Sequence, residues 1–264
     1  MAYKIILVHL DQTARSSDRF DLALDLAKRH QACLSLFYAT AMPYLYQGAE
    51  KRHRDQIQSD CADRARQVEV ELCWIPEVQD MTHPPLSTRL SYQAFFADLT
   101  LIGQPGADAG PPPATPRDLP DRVILTSGRP ILTIPFAGNF QQVGQRVMVA
   151  WRSGRASARA ITDALPFLKK AEIVHLISFA QTNPERIQAE ETLTKLAGFL
   201  KQHNVKAMIE VRLISNISLG DALLNRVAEE GIDLLVVGGA LPSAPAPMAS
   251  MLLKQMTVPV LMSS

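Results

Sequence analysis

The feature that most restricts what this chain can become is that it repeats itself. KIILVHLD, from Lys4, has the unbroken apolar character of a strand buried on both faces, and RVMVAWRS, from Arg146, shows it again 142 positions later. ADLTLIGQ (Ala97 to Gln104) returns as IDLLVVGG (Ile232 to Gly239), with Asp98 and Asp233 standing 135 apart. RPILTIP and VPVLM align Pro130 with Pro259, 129 apart. Three matches in one order with a shrinking offset describe two copies of a single unit, the second shortened in its loops. The stretch FAGNFQQVGQ, with Gly138 and Gly144 among polar residues, is the expected boundary, giving units over 1–140 and 143–264.

Each unit alternates strand and helix. Phe20, Ala23, Leu24 and Ala27 form an i, i+3, i+4, i+7 stripe after the first strand, and Ala156, Ala160, Ala164 and Phe167, at i, i+4, i+8, i+11, form the corresponding stripe in the second unit. The second strands are expected over 32–39 and 172–180, the third over VEVELCWI (68–75) and KAMIEVRLI (206–214). Asn204 suits a left-handed helix end and Ser218 a helix N-cap. The order β-α-β-α-β-α-β-α-β with apolar strands implies an α/β fold with a doubly wound parallel sheet.

The ILVHLD opening, the two fourth strands, the SGRPILTIP run and the closing MTVPVLMSS together resemble tandem universal stress proteins over nearly the whole chain. The resemblance implies a bacterial protein of two five-stranded parallel-sheet units, adenine nucleotide α hydrolase-like, with strand order 3-2-1-4-5 and a role in stress response. It also implies association through the fifth strands. Here ILTIP (131–135) and VPVLM (258–262) carry no edge charges, so an internal pseudo-dimer is expected, with Leu132 and Ile134 facing Val260 and Met262. A homodimer is a further expectation.

Many members of the resembled family hold ATP on a Gly-x-x-Gly turn after strand four, followed after nine intervening residues by Gly and then Ser or Thr. Glycines there let backbone N–H groups reach phosphate oxygens. This chain keeps only fragments. Gly238 and Gly239 are followed at the next motif position by Leu241 or Pro242, and proline has no N–H to give. Gly103 and Gly106 have the first spacing, but the proline-rich run to Pro120 follows and Pro116 stands where the third glycine should. Both phosphate loops therefore read as degenerate, and no cofactor is expected; ATP or AMP, with weak ATPase activity, is the alternative.

The acid after strand one, which lies near the nucleoside in nucleotide-binding members, is Asp11 here; Ala150, Trp151, Arg152 and Ser153 occupy the matching stretch, with Arg152 in place of the acid. A cation there, at a helix start, would suit a small anionic ligand. The candidate ligand-binding residues are thus Asp11, Gly103, Gly106, Ala150, Trp151, Arg152, Ser153, Gly238 and Gly239.

The sequence contains no GxxxxGK[ST], GxGxxG after a strand, GxSxG or HExxH, so no catalytic residues are expected and the chain is not read as an enzyme. Six scattered histidines and three cysteines without CxxC spacing point to no metal site, and His9 and His175, inside strands, read as core imidazoles. Asp98 and Asp233 are expected to serve turn geometry. A net charge of +1 gives no footprint for nucleic acid, and the basic run Lys51 to Arg54 reads as a solvated helix face. No apolar run is long enough for a membrane span, and no signal peptide is read, so a cytoplasmic protein with an unknown protein partner or a small anionic ligand is expected.

Overall fold

Two compact units, Ala2–Gln141 and Gln142–Ser264, make up the computed structural model, which describes residues 2–40, 49–76, 84–104, 115–239 and 247–264. The first unit runs β1 (Ile5–Leu10), α1 (Arg15–His30), β2 (Cys33–Tyr38), α2 (Ala49–Gln67), β3 (Leu72–Trp74), α3 (Leu86–Ala94), β4 (Leu99–Gly103), α4 (Leu119–Ser127) and β5 (Ile131–Ile134). Its strands are all parallel, in the order β3-β2-β1-β4-β5. The second unit runs β6 (Arg146–Ala150), α5 (Arg155–Leu168), β7 (Ile173–Ala180), α6 (Asn183–Gln202), β8 (Met208–Leu213), α7 (Leu219–Glu229), β9 (Leu234–Gly238), α8 (Pro247–Gln255) and β10 (Val260–Ser263). Its parallel order is β8-β7-β6-β9-β10. Each order is the expected 3-2-1-4-5.

The core follows from the sequence stripes. Ile6, Leu7 and Val8 of β1 and Leu234, Leu235 and Val236 of β9 are buried, as are Phe20, Ala23, Leu24 and Ala27 on α1 and Ala160, Ala164 and Phe167 on α5. Asn204 adopts φ 62° just beyond α6, and the Ser218 hydroxyl accepts from the Asp221 N–H to cap α7. The third strand of the first unit is shorter than the alternation in VEVELCWI suggests. Val68 and Val70 direct their N–H groups back to the Ala65 carbonyl, and Glu69 turns at φ 58°, so the first half of that stretch terminates α2.

The matched acids have a structural task. The Asp98 carboxylate accepts the N–H groups of Lys4 (2.7 Å) and Ile5 (3.0 Å). Asp233 accepts those of Gly144, Gln145 and Arg146 at 2.9, 2.9 and 3.1 Å. Each acid ties the start of its unit's first strand to the start of the fourth. The charge satisfies backbone donors that the sheet leaves open, at the end of the sheet opposite the ligand crevice of such folds.

Candidate functional site

In a sheet of this order the chain reverses direction between the first and fourth strands, and ligands of open α/β folds bind in the crevice beyond the carboxyl ends of those strands. In the first unit that crevice is bounded by Asp11, just past β1, and Gly103, the last residue of β4. A side chain of the protein already lies there. Arg19, 2% exposed on α1, donates from Nε to the His9 carbonyl at 2.7 Å, and from Nη2 to Asp11 Oδ2 at 3.2 Å and Ser16 Oγ at 3.0 Å. A methyl added to Gly103 would fall 2.0 Å from Arg19 Nη1. Gly103 is therefore the floor on which a guanidinium rests.

Asp11 is fully engaged. Its carboxylate accepts from the Thr13 N–H at 2.9 Å, from Ser16 Oγ at 2.9 Å and from Thr115 Oγ1 at 3.2 Å, besides Arg19. Burial alone would push this carboxyl up. The Arg19 guanidinium and the Thr13 hydrogen bonds outweigh it and hold Asp11 well below the usual carboxylate range. His9 behaves as a core imidazole: Nε2 bonds the Ala39 carbonyl at 2.9 Å, and burial lowers its pKa to about 4, so the ring is neutral.

The strand registers give the correspondence between units. Ile6 pairs with Leu99 and Val147 with Leu234, so Asp11 corresponds to Arg152, Ser16 to Ser157 and Arg19 to Ala160. With alanine in place of the buried arginine, nothing holds the helix off the sheet. A Cβ on Gly238 would meet Ser157 N at 2.6 Å and the Ala156 carbonyl carbon at 2.9 Å. Helix backbone rests directly on this glycine, the packing use of glycine known from strand-to-helix turns. Arg152 and Ser153 are exposed, Ala150 and Trp151 half-buried. Gly154 precedes α5 without a side-chain cap, so the first N–H groups of that helix are left to other partners. The Trp151 indole N–H is buried with no hydrogen-bond partner among the described residues. Gly239 donates its N–H to the Ser263 carbonyl, which ties it to the fifth strand.

Of the expected site residues, the structure thus brings Asp11 and Gly103 together through Arg19. It sets Trp151, Arg152 and Ser153 at the start of α5, and uses Gly238 for packing. Gly106 and the loop 240–246 lie outside the described residues. Sequence reasoning missed Arg19, Ser16 and Thr115. The signal for Arg19 was its place four residues before Ala23, on the buried stripe of α1. A cavity of about 210 Å³ opens beside α1, lined by Thr13, Ser16, Phe20, Ile57, Cys61 and Arg64. It falls short of the roughly 300–1,000 Å³ of small-molecule sites. Its Cys61 thiol is pushed by burial to about 12 and is unreactive. Among the described residues no group of His, Cys, Asp or Glu could hold a metal ion, and no helix is long and apolar enough to cross a membrane.

This pair of units, each a parallel sheet in the order 3-2-1-4-5 with helices between its strands, is a tandem doubly wound α/β fold. No protein-family model and no curated protein matches the chain. Solved structures do. A universal stress protein from Archaeoglobus fulgidus DSM 4304 is 12% identical over 98% of each chain, with a TM-score of 0.78. A protein from Pseudomonas aeruginosa UCBPP-PA14 assigned to the same group is 15% identical over 99% of this chain and 93% of its own, with a TM-score of 0.65. The cytoplasmic domain of a prokaryotic cation chloride cotransporter is 13% identical over 98% of this chain and 95% of its own, at 0.54. The fold is that of tandem universal stress proteins, and the likeness covers both units.

Proposed function

We propose that this chain is a cytoplasmic universal stress protein with a non-catalytic, binding or regulatory role, whose crevices do not retain ATP. The observation that carries this reading is Arg19 lying across Gly103 and pinned to Asp11, where a bound nucleotide would need backbone access and an available acid. ATP does not fit these residues. Displacing the guanidinium would strand the Asp11 carboxylate, 3% exposed, without its counter-charge. Titration calorimetry with ATP and Mg²⁺ tests the reading: no saturable heat is expected below millimolar nucleotide. A dissociation constant under about 10 μM, or ~7 kcal/mol of binding, would overturn it.

A second reading concerns the other unit, where Arg152 replaces the acid and the first turn of α5 is open. Arg152 makes no hydrogen bond or ion pair among the described residues, and a cation beside a helix N-terminus favours a small anion. Phosphate or sulfate shifting the Trp151 emission in wild-type protein, and not in Arg152→Ala, would support a regulatory anion site. An identical response in the two proteins would refute it.

A further inference from the structure

The outer edge of β8 has no partner among the described residues, because the strand pairs with β7 on one side and ends its unit's sheet on the other. Its counterpart β3 is three residues long, whereas β8 has six. None of the six is buried, and Met208, Ile209 and Leu213 are 51, 42 and 52% exposed. Edge strands are normally blunted by unpaired charges, lysine above all, by proline, a bulge or short length, and the two charges here, Glu210 and Arg212, are paired with each other. MIEVRL has neither lysine nor proline, and its register against β7 is unbroken from Met208 to Leu213.

The hydrogen-bonding parity of this edge follows from one contact. Ile214 donates its N–H to the Ala180 carbonyl of β7. Because N–H and C=O directions alternate along a strand, Met208, Glu210 and Arg212 spend theirs on β7, while Ile209, Val211 and Leu213 point theirs outward. We infer that β8 is a self-pairing edge through which two copies of this chain form an antiparallel dimer, with Val211 opposite Val211. In that register the outward groups of Ile209 meet those of Leu213 of the second copy, and the two valines exchange both their bonds. The charged residues fall in the intervening non-hydrogen-bonded pairs, where side chains come closest: Glu210 opposite Arg212, twice.

The sequence selects this register over its neighbours. A two-fold axis at Glu210 or Arg212 would keep the outward groups in register but put like charges directly opposite each other. An axis at Ile209 or Leu213 would shorten the ladder and set Glu210 opposite Met208, or Arg212 opposite Ile214, with no charge pairing its opposite. Glu210 already holds Arg212 (2.5 Å) and Arg226 of α7 (2.9 Å), so pairing would extend an existing ion pair into a row of alternating charges across the junction. This self-complementarity is what an isologous contact requires, and it identifies the occupant as a second copy.

Val211→Pro tests the inference cleanly, since it removes an outward N–H and no bond to β7. Sedimentation velocity of the full chain at tens of micromolar is expected to show wild type at twice the chain mass and Val211→Pro at the chain mass. Circular dichroism checks that the variant is folded. Arg212→Glu, which sets Glu opposite Glu, should also lose the dimer, and it guards against a folding defect from proline. In hydrogen exchange, raising the wild-type concentration should slow the amides of Ile209, Val211 and Leu213. A wild type that stays monomeric, or a dimer that survives both substitutions, would overturn the inference.

Discussion

An alanine at position 103 would test the central contact of the first unit. Gly103 does not sit at positive φ, so the added methyl is itself the perturbation, 2.0 Å from Arg19 Nη1 and 3.1 Å from its Cζ. Although the obstacle is a side chain, it cannot swing aside without loss, because Nε and Nη2 are held by His9, Asp11 and Ser16. Moving it breaks a buried ion pair whose partners are 2 and 4% exposed, which costs about 3–5 kcal/mol when one charge is left unpaired. That is a large share of a typical domain stability of roughly 5–15 kcal/mol. The two tryptophans, Trp74 and Trp151, fall one in each unit, so urea unfolding of the first unit can be followed by Trp74 fluorescence in a Trp151→Phe background. With a slope of about 2 kcal/mol per molar urea, Gly103→Ala should lower the midpoint by about 2 M. In an Arg19→Ala/Asp11→Asn background the same methyl meets no guanidinium, and its effect should shrink to within about 1 kcal/mol. A cost below about 1 kcal/mol in the wild type, or an equal cost in both backgrounds, would show that the guanidinium does not rest on Gly103.

The second unit should respond differently. Gly238→Ala meets the backbone of Ala156 and Ser157, so it should destabilise that unit by about 1–3 kcal/mol, read by Trp151, and no truncation of the Ser157 side chain should rescue it. Rescue by Ser157→Ala would count against backbone contact. The buried histidine sets a pH dependence. His9 has a folded pKa of about 4 against 6.5 when unfolded, so the unfolded chain binds more protons between these values and stability falls as pH drops through that window. At ~1.4 kcal/mol per pH unit the loss approaches about 3 kcal/mol by pH 4. His9→Gln should flatten the profile between pH 6.5 and 4, and a variant as steep as wild type would contradict the assignment. Below this range the depressed Asp11 acts in the same direction: its contribution is present above its unfolded pKa and is lost as pH falls further.

The architecture was legible because parallel strands buried on both faces must be continuous apolar runs, and KIILVHLD and IDLLVVGG have no other use. The paired acids were visible as a repeat, but their clamp on the first strand was not. Its donors, the N–H groups of residues 4–5 and 144–146, are backbone and leave no mark in a sequence. The crevice was legible only in part. Gly103 and Gly238 announce that something approaches the strand end too closely for a Cβ, yet a phosphate, a guanidinium and a helix backbone impose the same requirement. Arg19 was hidden because an arginine on a helix reads as surface unless its place on the apolar stripe is weighed together with an acid eight positions before it. Asp11 read as a ligand contact for the same reason, since a free carboxylate and one neutralised from within look alike in one dimension.

On the proposed function, the protein's own side chains and backbone fill the crevices in place of a nucleotide. Native mass spectrometry of the freshly purified full chain, followed by analysis of small molecules released on denaturation, tests it most directly. The expected result is the bare chain mass, or an integral multiple of it, with no adenine nucleotide released. ATP or AMP recovered at close to one per chain would contradict it.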